Sequence, residues 1–333
     1  MNVLYFNQKY LSNVPKKYLD GSVLFVPEPW LFFRNKLIKT LCHITLSPRI
    51  NSKIKLPFKS VWIKYILKHS FVKKDTICLV INAHFYHLYK SGIKRIAESL
   101  YKKVHIVFVF SDKVQYFAEH YRGFPDIEEL KESFDAVITY NVADSKKYNL
   151  ILDRPCFPSF EKIDDKLGDF HSDLFFVGSN KGRLNDIYKV FELCRSNGIK
   201  CDFHVIGVPK ENIKYSDCIS FNKPIPYSEV LERSKKTNCI LYIVQEEGSG
   251  VVLRDYEALT FNKLLLTNNT ALELSGLYSK EQVIWLDELA KRKNDIIAGY
   301  KGSNALKIEY SLQNWIKWLE DLLIGDKTIC SKN

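Results

Sequence analysis

The sequence predicts an α/β protein with two Rossmann-like, doubly wound parallel-sheet domains. Three observations point there. Continuous apolar runs of strand length alternate with helical patterns, as strands buried on both faces of a parallel sheet require. The alternation occurs twice, on either side of residues 154–160 (RPCFPSF), a proline-containing stretch without helical periodicity that reads as a linker. With 333 residues and 46% apolar composition, the chain can furnish a core for each half.

In the first half, 75–84 (DTICLVINAH) is a strand, SGIKRIAESLYKK a helix, and 104–110 (VHIVFVF) the next strand. A charged helix near 126–133 and the strand FDAVITY (134–140) continue the pattern. The second half opens on DLFFVG (173–178), followed by the amphipathic helix LNDIYKVFELCRSNG with Gly198 as its stop, and the strand CDFHVIG. This succession of strand, glycine loop, helix and strand is a Rossmann half. A helix SEVLERSKKT, with Ser228 as its expected N-cap, precedes the strand CILYIV. The helix VLRDYEALTF and the strands KLLLTN and QVIWL complete this half. The expected domains are 1–158 and 159–303, with 304–333 as a C-terminal helix. That helix is either a terminal amphipathic element or one that packs back across both domains.

Charge and cysteine usage narrow the function classes. Lys and Arg number 49 against 38 Asp and Glu, a formal charge of +11 that calls for an anionic partner. The excess is polarised: thirteen Lys and Arg residues between Lys16 and Lys74 face only Asp20, Glu28 and Asp75. No run of about 18 apolar residues occurs, and the N-terminus lacks a signal-peptide pattern, so a cytoplasmic protein is expected. The eight cysteines form no CxxC pair and no zinc spacing, and read as reduced, mostly buried thiols.

Two segments carry candidate chemistry. Gly178-Ser179-Asn180-Lys181-Gly182-Arg183 lies between a strand and a helix, where backbone N–H groups and the helix dipole can receive a phosphate, with Lys181 and Arg183 adding charge. It is neither a GxGxxG fingerprint nor a P-loop. The second segment runs from Gln245 through Gly248-Ser249-Gly250 into a helix bearing Arg254 and Glu257. One helical turn apart, these two share a face, the guanidinium suited to a diphosphate and the carboxylate to ribose hydroxyls. A surface ion pair is the structural alternative.

FFVGSNKGR, PYSEVL and LYIVQEEGSGVVLRDYEALTFNKLLLTNN resemble, in order and spacing, a family of bacterial glycosyltransferases from capsule, O-antigen and exopolysaccharide clusters. That family has the GT-B fold, two Rossmann-like domains facing a central cleft, and an R-x-x-E-A-L element followed by K-L-I-T-x-N. The segment 134–150 (FDAVITYNVADSKKYNL) matches its first-domain pattern in part. The resemblance implies transfer of a hexose-type sugar from a nucleotide sugar, a UDP-sugar by preference. Gly178, Ser179, Asn180 and their neighbours would approach the diphosphate, Arg254 would neutralise it, and Glu257 would hold the ribose. The backbone at Ile225 would meet the base, and Gly248, Ser249 and Gly250 the donor sugar. Glu246 and Glu247 precede this loop, and Asn268 and Asn269 end a strand, without a firm assignment.

In the first domain, His84 follows a strand on the side where parallel sheets bind ligands, and is the candidate base for an acceptor hydroxyl, with Asp112 as the alternative. HFYH is not HExxH, and no metal or cofactor is expected, because side chains and helix dipoles can stabilise the leaving diphosphate. The segment 26–41 (VPEPWLFFRNKLIKTL) mixes aromatic and basic residues as at an anionic membrane surface, fitting a polyprenyl-diphosphate-linked saccharide acceptor and peripheral attachment to the inner face of the cytoplasmic membrane. A core helix with a basic face is the alternative. Two other functions remain open: a nucleotide-sugar 2-epimerase of the same architecture, and a basic nucleic-acid-binding protein, for which no recognised motif occurs.

Overall fold

The computed structural model describes residues 1–6, 23–26, 29–51, 53–54, 56–71, 73, 75–153, 171–244, 250–273, 278–302 and 312–324. The chain divides into two compact units, residues 1–158 with 310–333, and residues 159–309.

The first unit holds a parallel sheet of β1 (Asn2–Phe6), β2 (Val23–Phe25), β3 (Thr76–Asn82), β4 (Lys103–Phe110), β5 (Ala136–Thr139) and β6 (Ile151–Leu152), in the order β2-β1-β3-β4-β5-β6. Its helices are α1 (Lys36–Leu46), α2 (Pro48–Asn51), α3 (Lys59–Ser70), α4 (Tyr86–Tyr89), α5 (Ile93–Glu98), α6 (Val114–His120), α7 (Ile127–Ser133) and α8 (Val142–Tyr148). The period of two along each strand divides the side chains between two cores. Leu4, Phe6, Leu79, Ile81 and Phe108 pack on one face with residues of α1 and α3, such as Cys42 and Ile63. Val3, Tyr5, Val80, Val107 and Val109 form the other face, with Trp315 and Leu319 packed on it.

Those two residues belong to the C-terminal helix, whose described part is Leu312–Ile324. It packs on the first unit's sheet. Trp315 stacks on Tyr5 with ring centroids 5.7 Å apart, and its indole N–H donates to Asp153 Oδ1 at 3.0 Å. The Met1 ammonium group meets Glu320 at 2.8 Å.

The second unit orders its parallel strands β12-β11-β10-β7-β8-β9. These are β7 (Ser172–Ser179), β8 (Cys201–Ile206), β9 (Ile219–Phe221), β10 (Thr237–Tyr242), β11 (Leu264–Thr267) and β12 (Val283–Trp285). The helices are α9 (Leu184–Ser196), α10 (Tyr227–Lys236), α11 (Leu253–Thr260) and α12 (Lys293–Ala298), so the helix Leu312–Ile324 is α13. The unit's first strand, β7, pairs with both its second and its fourth, so the winding reverses between β7 and β10, the dinucleotide-binding order. In the first unit the reversal falls between β1 and β3. Ligands of open parallel sheets bind outside the carboxyl ends of the strands at such points.

Most expected elements are present. Gly198 terminates α9 with φ 72, a conformation that suits glycine. The expected Ser228 cap is corrected: α10 begins at Tyr227 with Pro226 as its N-cap residue, at φ −60, and exposed Ser228 lies in the first turn. Strands β1 and β2, short and next to the basic segment, are not among the elements expected from the sequence. Among the described cysteines, Cys42, Cys78, Cys194 and Cys239 are buried, Cys201 is half-buried and Cys218 is exposed, all as free thiols. No helix among the described residues is long and apolar enough to cross a membrane.

Candidate functional site

At the carboxyl end of β7 the chain turns sharply. Lys181 and Gly182 both take positive φ, 39° and 84°, before α9 begins. Asn180 supports this turn: its backbone N–H donates to the Ile206 carbonyl at 2.7 Å, and its Oδ1 accepts from Leu184 N at 3.2 Å. Its side chain therefore caps one of the free N–H groups of α9. Ser179 and Lys181 are exposed.

Arg183 folds back over the strand. Its Nε donates to the Ser179 carbonyl at 3.1 Å, a second guanidinium N–H donates to the Ile243 carbonyl, and the group lies 5.4 Å from the centre of the Phe176 ring. Gly178 leaves room for it. A Cβ there would come within 2.7 Å of Arg183 Nη2 and 3.3 Å of the Phe176 ring. The space over Gly178 that the sequence reading reserved for a diphosphate is thus partly filled by a guanidinium.

Beyond β10, α11 begins on a buried polar cluster. Asp255 is wholly buried, and its Oδ2 accepts from Val252 N at 2.8 Å and from Asn269 Nδ2 at 3.2 Å. The Asn269 amide also donates to the Gly250 carbonyl at 3.0 Å, which ties the loop end to β11. Burial pushes the Asp255 carboxyl up to about 7 against the hydrogen bonds that lower it.

One turn of helix brings Arg254 and Glu257 together as an ion pair, in which the Glu257 side chain is wholly buried and that of Arg254 is 19% exposed. Tyr227 at the start of α10 donates its hydroxyl to Glu257 Oε1 at 3.0 Å. Burial and then the Glu257 charge raise the Tyr227 phenol, which keeps it a neutral donor. Ile225, half-buried, stands two residues before Tyr227.

The β7 and β10 crossovers converge. Burial holds the Arg183 guanidinium below its ordinary value; nearby Tyr242 opposes that shift and nearby Arg254 adds to it. Arg183, which reaches the Ile243 carbonyl just beyond β10, is thus within electrostatic range of Arg254 near the point where the strand order reverses. Gly250 is buried beside this cluster, whereas Gly248, Ser249, Glu246 and Glu247 lie outside the described residues.

In the first unit, His84 occupies a 3-10 turn (Ala83–Phe85) directly after β3. Asn82 Oδ1 accepts from His84 N at 3.1 Å and from the Ser111 hydroxyl at 3.1 Å, joining the ends of β3 and β4. His84 Nδ1 is hydrogen-bonded to the Tyr121 hydroxyl, and the Phe117 ring stands edge-on 5.0 Å away. Burial lowers the His84 imidazole below its usual value, and the nearby Asp112 carboxylate opposes this. His84 therefore sits among aromatic rings, within electrostatic range of Asp112. Asp112 itself accepts from Lys113 N at 2.9 Å.

Tyr227, Asp255 and Tyr121 are not among the residues the sequence singles out, and Asn269 is singled out only as a strand-end amide. Of the other three, Asp255 alone carries a sequence signal, an acid at the third position of a helix, the capping-box position. Among the described residues no group of three or more His, Cys, Asp or Glu is placed to hold a metal ion.

No protein-family model matches the chain, and no curated protein matches it. Solved structures that resemble it include a UDP-forming α,α-trehalose-phosphate synthase from Burkholderia xenovorans, at 10% identity and TM-score 0.48, covering 99% of this chain and 97% of that one. AviGT4, a glycosyltransferase of avilamycin A biosynthesis, aligns at 12% identity and TM-score 0.47 over 80% of this chain and 79% of its own. At such values the likeness carries no functional argument. The two parallel sheets with their strand orders are two Rossmann-like units on their own evidence.

Proposed function

We propose that the second unit binds a nucleoside-diphosphate sugar at the β7/β10 edge and that the protein transfers the sugar to a saccharide acceptor. The observation that carries this reading is that Arg183 of the β7 crossover folds onto the Ile243 carbonyl at the end of β10, the strand that leads to Arg254 on α11, where the strand order reverses. An anion between two cations relieves their mutual repulsion, and a diphosphate offers two adjacent phosphates. The Glu257 carboxylate, wholly buried and held by Tyr227 and Arg254, fixes the position of the Arg254 guanidinium, and its spare lone pairs are the acceptors assigned to ribose hydroxyls once the side chains over it part.

In this reading the acceptor hydroxyl oxygen bonds to the anomeric carbon, the bond from that carbon to the diphosphate oxygen breaks, and the electron pair leaves with the diphosphate. Arg183 and Arg254 meet the charge that develops there. His84 receives the acceptor proton at Nε2, with Nδ1–H donated to Tyr121 and Asp112 stabilising the imidazolium. The guanidinium pair takes the role a divalent ion would otherwise fill, so activity persists in chelator.

The resemblance to the polysaccharide-cluster enzymes favours UDP as the nucleotide, Ile225 beside the base, and a polyprenyl-diphosphate-linked acceptor of surface polysaccharide. Incubating the protein with UDP- and GDP-sugars, with thermal unfolding as the readout, tests donor binding, because a ligand of the folded state raises apparent stability by mass action. A selective shift supports the reading. Absence of a shift with every nucleotide sugar removes it.

A further inference from the structure

Of the twelve large apolar side chains exposed among the described residues, nine lie between Leu31 and Tyr65. On α1, Leu37, Leu41 and Ile44 point outward with exposures of 69%, 47% and 45%, while Cys42 and Leu46 point to the core. On α3, Val61 and Tyr65 point outward while Ile63, Ile66 and Leu67 point inward. Phe58, just before α3, is 73% exposed and holds a left-handed φ of 63°, which a bulky residue rarely adopts. Apolar helix faces of this extent are turned inward in most soluble proteins.

Phe33, three residues ahead of α1, packs on α3. The Phe33 ring centre lies 5.2 Å from Trp62 and 4.6 Å from Tyr65. Beside them opens a hollow of about 440 Å³, lined in part by Ile38, Trp62 and exposed Arg34. The buried indole N–H of Trp62 has no hydrogen-bond partner among the described residues.

Charge identifies the occupant. Between Pro29 and Lys74 the chain carries eleven Lys and Arg residues and no Asp or Glu. A second copy of this face would bring cations against cations. Nucleic acid would gain nothing from exposed leucines and isoleucines.

We propose that the α1/α3 face docks on a bilayer rich in anionic phospholipid. Leu37, Leu41, Phe58 and Val61 enter the acyl boundary, the hollow admits part of an acyl chain, and Arg34, Lys36 and Lys64 meet headgroup phosphates. This goes beyond the donor-site reading and does not rest on it.

The test is co-sedimentation of the full chain with vesicles of phosphatidylcholine alone or mixed in equal parts with phosphatidylglycerol. Binding is expected to the mixed vesicles only, and to weaken with added salt. The triple variant Leu37→Ser, Leu41→Ser, Phe58→Ser should lose roughly tenfold or more in partitioning. Lys36→Gln and Lys64→Gln should each lose about fivefold. Thermal stabilisation by UDP should be unchanged in all of them, which separates failure of membrane docking from failure of the donor site. Equal binding to both vesicle types, binding retained by the triple variant, or no binding accompanied by a dimer that the triple variant dissolves would overturn the proposal.

Discussion

Tyr227 donates its hydroxyl to Glu257 Oε1 at 3.0 Å, while Arg254 pairs with Oε2 of the same wholly buried carboxylate. Helix α10 and helix α11 are thereby fastened through one ionised group. Such an arrangement is costly to break from either side, because removing one partner leaves a buried charge underpaired.

Tyr227→Phe is expected to lower stability by about 1–3 kcal/mol and to weaken UDP binding, since it removes a donor without removing the ring. Urea unfolding measures the first effect and calorimetric titration the second. Arg254→Ala should cost more, about 3–5 kcal/mol, so loss of activity in that variant conflates folding with binding. Arg254→Lys keeps the charge and is the variant to use for transfer assays.

Gly178→Ala places a methyl group against the Arg183 guanidinium and the Phe176 ring. The nearest contact is the end of a flexible side chain, so the expected cost to stability is modest, about 1 kcal/mol. Donor affinity should fall more steeply, roughly tenfold, as Arg183 is displaced. Equal donor affinity in the variant and the parent would detach Arg183 from binding.

Asp255 makes a signed prediction about pH. Its carboxyl is pushed up to about 7 in the fold, whereas in the unfolded chain it titrates near 4. Between those values the folded state holds the extra proton, so this group's contribution to stability falls as pH rises from about 4 to 7 and is flat above. Asp255→Asn should lack that slope, so the parent's stability minus the variant's should fall between about pH 4 and 7. A difference curve that rises or stays flat over this window would contradict the burial of Asp255.

His84 titrates the opposite way. Burial holds its imidazole below the usual histidine value, so it stays neutral in the fold where the unfolded chain is already protonated. Its contribution to stability is present above about pH 6.5 and is lost as pH falls from there through its folded value. As the base for transfer, it predicts an acid limb of kcat/KM lying below about 6.5, absent in His84→Gln. Tyr121→Phe should lower kcat by about tenfold with little change in KM, because it disturbs the ring's tautomer and not the acceptor contacts. An unchanged limb in His84→Gln would move the base elsewhere, with Asp112 the next candidate.

The two doubly wound domains were legible because their central strands are continuously apolar and their helices periodic, as in 173–178 and 184–198. Arg254 and Glu257 were legible through spacing alone, since one helical turn fixes their common face. What spacing cannot carry is contact across the chain. Tyr227 reaches Glu257 over 30 residues, Asn269 reaches Gly250 over 19, and Tyr121 reaches His84 over 37. Burial was equally invisible, and it converts Asp255 from a surface acid into one with a raised titration point. The same limit applies to α1, where the sequence leaves 26–41 open between a membrane-facing segment and a core helix, and burial shows Leu37, Leu41 and Ile44 facing outward.

Removing Trp315 tests the role of α13 in the first unit. Its side chain is 3% exposed, stacked on Tyr5 and hydrogen-bonded to Asp153. Trp315→Ala should cost about 3–5 kcal/mol in urea unfolding. A loss below about 1 kcal/mol would mean that α13 contributes little to that core.

The most direct test of the donor site is calorimetric titration of UDP, UMP and uridine into the protein and into Arg183→Gln. Diphosphate recognition by the Arg183 and Arg254 pair predicts that UDP binds at least tenfold more tightly than uridine, roughly the worth of one charge-assisted contact, and that Arg183→Gln removes most of this preference. Equal affinities for UDP and uridine, or an undiminished preference in Arg183→Gln, would contradict it.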